Sequence, residues 1–327
     1  MKSEHSKKES KSDSLESLQV SLPKECGVFR TAVVDLPAGQ AGLEGAEALV
    51  VTIIGVGLIG GSMALALKEK NIATTIIGVD ANEAHQHTAM KLGLVDKIAS
   101  LDEAIKQSHL IIMAVPVDAA VSLLPEILNK INKQVVMDVG STKNVVCGLA
   151  KKAANTKRFV ATHPMWGTEF NGPAAAVSGA FADKAVVICN KENSDTDAVE
   201  LVEKIYKALG MHIVYMNAEA HDLHAAYISH ISHITSFALA NTVLEKEKEA
   251  DTIFELASGG FESTVRLAKS NPLTWASIFM QNKDNVLDVL NEHISQLRKF
   301  KACLEKENYE YLEELMVNAN KIKRIIK

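Results

Sequence analysis

The sequence predicts an α/β protein in which a doubly wound sheet precedes an all-α domain, and three observations predict it. Short apolar runs rich in β-branched residues alternate with helix-forming stretches between residues 49 and 216. A glycine-rich turn joins the first of these runs to the first helix. From Asn217 to Lys327 the strand-like runs stop and helix-forming sequence continues. Parallel strands need a crossover, usually a helix, so alternation of this kind means βαβ units.

The elements follow in order. Residues 1–48 read as an extension. Its first 20 or so positions are Lys, Glu and Ser with little to bury, which predicts disorder, and the rest is unassigned. "LVVTII" from Leu49 is continuously apolar, as a strand buried on both faces must be. "GVGLIGGSMALALKEK" is a turn opening a helix with an apolar stripe. Then come strand "TTIIGVD", a helix from Glu83, strand "HLIIMAVP", a helix to Lys130, strand "QVVMDVG", a helix from Thr142 and strand "RFVATHP". "DKAVVICN", a helix to Leu209 and "MHIVYM" complete a domain spanning 49–216. The helical domain, 217–327, is broken at "SGG" (258–260) and "NP" (271–272).

Composition narrows the function. The net charge of −5 and the scattered basic residues give no nucleic-acid surface. Cys26, Cys147, Cys189 and Cys303 are far apart, as reduced thiols of a cytoplasmic protein would be. No apolar run is long enough for a bilayer, and the N-terminus lacks the apolar core of a signal peptide. A soluble, cytoplasmic protein without membrane contact is expected.

Gly55, Gly57 and Gly60, with Leu58 and Ile59 between the last two, form GxGxxG between a strand and a helix. Gly55 permits the tight turn, Gly57 lets backbone approach a pyrophosphate, and Gly60 lets helix and strand pack closely. The helix N-terminus offers N–H groups and a positive dipole end to the phosphates. Asp80 lies 25 residues after Gly55, at the end of the second strand. A carboxylate there accepts ribose hydroxyls and repels a 2′-phosphate, which favours NAD. The sheet domain is thus expected to be of the Rossmann type. Val115 and Pro116 either shape the nicotinamide end of the cleft or simply terminate a strand.

"DVGSTK" (138–143) and "THPMWGTEFNGPAAA" (162–176) each close a strand, so Ser141 and His163 fall where ligands of open α/β sheets sit. With "GVGLIGGS", "HDLHAAYISHISH" and "GGFESTVRLAKSNPLTW", these stretches resemble the prephenate dehydrogenase family, in its order, from about residue 50 to 300. The resemblance implies NAD-dependent oxidative decarboxylation of prephenate to 4-hydroxyphenylpyruvate in tyrosine biosynthesis, and a homodimer formed through the helical domain. It casts His163 as the base that takes the C4 hydroxyl proton while hydride leaves. Ser141 matches the serine that orients that histidine and the hydroxyl, although a serine there can equally cap a helix. Arg266 matches the arginine that holds the ring carboxylate, a task suited to paired guanidinium donors. Residues matching Ser229 and His233 contact substrate, and Thr168 and Glu169 follow His163 in a loop expected to close the pocket. Many members carry a basic and an acidic residue where this chain has Glu262 and Ser263.

Four of the eleven histidines, His221, His224, His230 and His233, fall within thirteen residues. On a helix, relative to His221, they lie near 300°, 180° and 120°, pointing to three sides, which predicts no metal site. The same wheel gathers Asp222, Ser229, His233 and Ser236 within about 60°, a polar stripe suited to a ligand wall. His230 reads as a buried structural histidine, His221 and His224 as helix-start and surface residues, and Trp275 as helical-domain core. The family's "SHLPH" has proline where this chain has Ser232, so a straighter helix is expected. An arogenate dehydrogenase, a β-hydroxyacid dehydrogenase or pyrroline carboxylate reductase, and an idle NAD sensor are the alternatives. "HPM" with "SHxxH" argues against the second group, and retention of His163 and Arg266 against the last.

Overall fold

A computed structural model describes residues 49–248 and 253–325; the expected N-terminal extension lies outside the described residues. The first half runs β1 (Leu49–Ile54), α1 (Leu58–Glu69), β2 (Ala73–Val79), α2 (Glu83–Lys91), β3 (Lys97–Ile98), α3 (Leu101–Gln107), β4 (Leu110–Met113) and α4 (Val117–Lys130). It continues with β5 (Val135–Asp138), α5 (Asn144–Ala150), β6 (Phe159–Pro164), β7 (Ala185–Cys189), α6 (Thr196–Ala208) and β8 (His212–Met216). The two-residue β3 is too short to leave a periodic signal.

All eight strands form one sheet in the order β3-β2-β1-β4-β5-β6-β7-β8. Strands β1 to β6 are parallel, β7 runs antiparallel to β6, and β8 is parallel to β7. The reversal at β7 has a local cause. Between β6 and β7 the chain forms only a short 3-10 turn, Pro173–Ala175, and no crossover helix. Strand order reverses direction between β1 and β4, which makes the carboxyl ends of these strands the ligand crevice of a doubly wound sheet.

The continuous apolar runs are explained by burial on both faces. Along β4, Leu110 and Ile112 pack with α1 and α6 side chains such as Met63, Leu67 and Val202. Ile111 and Met113 pack with Leu124, Ile127 and Val146 of α4 and α5 on the other face. Each fully buried aliphatic side chain contributes about 1.5–3 kcal/mol relative to exposure.

The helical half comprises α7 (Ala218–Ala225), a π-helical segment (Ala226–His230), α8 (Ile231–Glu247), α9 (Gly259–Val265), α10 (Pro272–Gln281), α11 (Lys283–Glu305) and α12 (Tyr309–Ala319). Asn217 starts α7 by accepting the Ala220 N–H at 2.7 Å. Asn271 accepts the Leu273 N–H at 2.9 Å ahead of Pro272, so the "NP" break is a capped helix start. Ser232, where the sequence predicts a straighter helix, lies just after the π segment. The π segment widens the helix without any proline, adding a residue to the turn and displacing everything beyond it from a uniform 100° step.

Candidate active site

The three glycines of the first turn do different work. Gly55 has φ +90, and a Cβ there would lie 2.5 Å from the Ala114 carbonyl oxygen, so the turn is pressed against the end of β4. A Cβ on Gly60 would sit 2.0 Å from the Gly55 oxygen, so α1 packs against its own turn. A Cβ on Gly57 would meet nothing within 4 Å, so this side of the turn is open to a ligand. Helix α1 begins with no side-chain cap and no acidic residue in its first turn, so its free N–H groups and dipole are available to an anion. Asp80 ties this turn to β2: Oδ2 accepts the Val56 N–H at 3.0 Å and Oδ1 the Asn82 N–H at 2.8 Å. Carboxylate oxygens accept more than one bond, so capacity for ribose hydroxyls remains. Leu58 is half-buried and Ile59 packs on the core below. Half-buried Val115 and exposed Pro116 lie between β4 and α4 at the same crevice. These residues fit a dinucleotide.

His163 lies near the carboxyl end of β6, opposite Val187 of β7. Its Nδ1 is 2.8 Å from His221 Nε2, and the rings meet edge to face with centroids 5.0 Å apart. The other ring nitrogen, Nε2, has no hydrogen-bond partner among the described residues and is not sealed from solvent. Burial pushes the His163 pKa well below 6.5, helped by the nearby His221, Lys143 and His230. The imidazole is therefore held neutral, as a proton acceptor must be.

His221 corrects the expectation of a surface residue. It is 2 % exposed, and its Nδ1 lies 2.8 Å from Asp222 Oδ1. Asp222, also 2 % exposed, accepts the Lys143 N–H at 2.7 Å and the Asn144 N–H at 2.9 Å. It thereby caps α5 from a different part of the chain, and anchors the start of the helical half to the sheet. Ser141 consequently does not cap α5, whose N-cap is Lys143. Its hydroxyl has no hydrogen-bond partner among the described residues and is partly accessible. The loop that carries it is pinned: the wholly buried Lys143 ammonium pairs with Asp138, which accepts the Gly140 N–H at 3.1 Å and the Thr162 N–H at 3.2 Å.

On the helical side, His233 is buried and its ring stacks on Trp275 with centroids 3.3 Å apart. Its Nδ1 is 3.1 Å from the Ser229 carbonyl. Burial lowers its pKa, and the Arg266 charge adds to the effect. Trp275 is half-buried against His233, His230 and Phe279, so it is a platform at the edge of this region rather than core. His230 is buried as expected, with Asn282 Nδ2 3.2 Å from its Nδ1, and burial pulls its pKa down to about 4. His224 is exposed.

The predicted polar stripe disperses because of the π turn. Asp222 caps α5, while Ser229 is half-exposed and presents its carbonyl to His233. Ser236 donates to the Thr264 carbonyl at 3.0 Å and accepts the Ala268 N–H at 3.1 Å, which fixes the short turn bearing Arg266. Arg266 reaches across to the loop after His163 and donates to Glu169 at 2.7 Å. Thr168 is exposed and accepts the Phe170 N–H at 3.3 Å, so it shapes this loop. Glu262 lies 3.7 Å from Lys269 and Ser263 donates to the Gly260 carbonyl, local contacts on the helical side.

Sheet order, glycine turn and a neutral histidine at a strand's carboxyl end define a dinucleotide-dependent dehydrogenase. Comparison with known proteins carries this further. The family model for the nucleotide-binding domain of prephenate dehydrogenase matches residues 63–215, and that for its dimerization domain matches residues 217–318. The chain belongs to the prephenate dehydrogenase family. Prephenate dehydrogenase of Bacillus subtilis is 33% identical over 80% of this chain and 72% of its own. Cyclohexadienyl dehydrogenase of Zymomonas mobilis is 29% identical over 85% of this chain and 96% of its own. The crystal structure of Aquifex aeolicus prephenate dehydrogenase, in complex with hydroxyphenyl propionate and NAD+, superposes with a TM-score of 0.76 at 30% identity, covering 86% of this chain and 99% of that one.

Proposed function

We propose that this chain oxidises and decarboxylates prephenate to 4-hydroxyphenylpyruvate for tyrosine biosynthesis, with NAD as cofactor. The observation that carries the reading is His163: a neutral imidazole at the carboxyl end of β6, with one nitrogen engaged by protein and the other open. NAD, when bound, supplies the hydride acceptor, and Gly57, the α1 N-terminus and Asp80 hold it. His163 Nε2 takes the proton of the C4 hydroxyl, and Ser141, on its pinned loop, orients that hydroxyl. As the ring becomes aromatic, carbon dioxide leaves.

Arg266 holds the ring carboxylate. Only one of its terminal nitrogens is committed to Glu169, so guanidinium donors remain for the substrate. His233 and Ser229 flank the same region from the helix, and Thr168 sets the loop that covers it. Two copies pair through the helical half, where Leu273, Met280, Leu297 and Leu304 leave more than half of their surfaces exposed. Cys147, Cys189 and Cys303 are free and buried, in keeping with a cytoplasmic location.

Formation of NADH from NAD with prephenate and with arogenate as substrates, assayed side by side, tests the reading. Turnover of prephenate supports it. Turnover of arogenate alone moves the assignment to the amino substrate, which shares the ring carboxylate, and turnover of neither overturns it.

A further inference from the structure

Asp222 sets the direction of a hydrogen-bonded chain that ends on His163. Its Oδ1 accepts the Lys143 N–H and its Oδ2 the Asn144 N–H, so donors meet both oxygens. His221 Nδ1, 2.8 Å from the same Oδ1, therefore donates. A neutral imidazole has one N–H and one bare nitrogen, which leaves His221 Nε2 as an acceptor. His163 Nδ1 is 2.8 Å from that atom and supplies the proton between them. The lone pair of His163 then resides on Nε2. The reverse arrangement would set a bare His221 nitrogen against a carboxylate oxygen at 2.8 Å, two acceptors facing each other where both residues are 2 % exposed.

We propose that His221, held by Asp222, is a positioning residue: it fixes the tautomer of His163 so that Nε2 presents its lone pair to the substrate hydroxyl. The proposal rests on the reading of His163 as the base. A free histidine favours the opposite tautomer, with the proton on Nε2, in which that nitrogen cannot accept. The proton balance is simple. The substrate O–H bond breaks, a bond from hydrogen to His163 Nε2 forms, the oxygen keeps the electron pair, and no other proton moves. Once His163 is cationic, its Nδ1–H bond to His221 becomes charge-assisted and roughly twice as strong. That gain comes only as the proton is transferred, so it favours the reacting state over the resting one.

The test reads the tautomer directly. In protein labelled with 15N-histidine and assigned with His163→Asn and His221→Phe, two-bond 1H–15N spectra without substrate are expected to show His163 protonated on Nδ1 and bare on Nε2. In His221→Phe the proton is expected to move toward Nε2. In the same variant kcat should fall roughly 10²-fold, the lower end of what acid–base catalysis contributes. The KM for prephenate and the Kd for NAD should stay within about twofold, because the substituted ring is buried with both nitrogens engaged by protein. His221→Gln, whose amide oxygen can accept from His163, should recover about tenfold of the loss by restoring the acceptor. A proton on Nε2 of the parent His163, or a parent-like kcat in His221→Phe, overturns the proposal. The spectra involve no substrate, so they fail independently of the substrate assignment, and they decide alone where His221→Phe does not fold.

Discussion

Adding one methyl group at Gly57 and at Gly60 should give opposite signatures, because the two glycines exist for different reasons. A Cβ at Gly60 would lie 2.0 Å from the Gly55 oxygen and 2.9 Å from Ile53, about 1 Å inside the 3.0 Å limit for the first contact. Both partners belong to β1 and its turn, and the oxygen is backbone, so α1 must lift off β1. Overpacking of this kind costs about 1–3 kcal/mol, and a backbone contact belongs at the upper end. At roughly 2–4 °C per kcal/mol for a chain of this size, Gly60→Ala should lower Tm by about 6–12 °C. At Gly57 the backbone has φ −75, which alanine adopts freely, and a methyl meets nothing within 4 Å. Reduced freedom of the unfolded chain contributes about 0.4–1 kcal/mol. Loss of a glycine N-cap takes back a similar amount, roughly 0.5 kcal/mol. Gly57→Ala should therefore melt within about 2 °C of the parent. Its defect should appear in NAD affinity. Losing one charge-assisted bond to the pyrophosphate costs about 1.5–3 kcal/mol, a roughly 10- to 150-fold rise in Kd. Thermal unfolding of the apoprotein and calorimetric titration with NAD separate the two effects. Parent-like NAD binding by a folded Gly57→Ala protein would refute the placement of the pyrophosphate against this turn.

Other outcomes follow from the same geometry. His163→Asn should bind NAD normally while kcat falls by about 10²–10⁴, read by steady-state kinetics beside NAD titration. Because burial lowers the His163 pKa, the imidazole stays neutral as pH drops through 6.5, so the acid limb of kcat/KM should lie well below that value; a limb at or above 6.5 counts against His163 as the base. Arg266→Ala should raise the KM for prephenate roughly 10- to 100-fold through loss of a charge-assisted carboxylate contact, and an unchanged KM would remove the clamp. Asp138→Asn should cost about 3 kcal/mol in denaturant unfolding, because the Lys143 ammonium, 0 % exposed, would face a neutral amide.

Much of the fold was legible because two periodicities carry it. Short apolar runs leave a strong strand signal where both faces are buried, as along β4 and β5, and the observed strands fall inside the predicted runs apart from Ala73 at the start of β2 and the whole of β3. That strand pairs only through Lys97 and Ile98, too few residues for any pattern. The direction of β7 was not legible either. It depends on the chain between Pro164 and Ala185 lacking a crossover helix, and that stretch is glycine- and alanine-rich without a clear period.

The site divides along the same physical line. Gly55, Gly57, Gly60 and Asp80 belong to one βαβ unit, so their spacing in sequence is nearly their spacing in space. His163 and His221 are 58 residues apart and meet only because α7 folds back over β6 and α5. A uniform helical wheel also misled, since the π turn at Ala226–His230 changes the angle between His221 and His233. The reason lies in a requirement that only the folded structure reveals. Helix α5 opens at Lys143-Asn144 on a wholly buried residue, with no side chain of its own to satisfy the first N–H groups. A helix start of that kind requires an acceptor from elsewhere, and the acceptors with enough reach are carboxylates. Asp222, 2 % exposed, is a carboxylate that these N–H groups and His221 together keep satisfied in its buried place. With Asp222 held over α5, its neighbour His221 lies at the end of β6, where it meets His163.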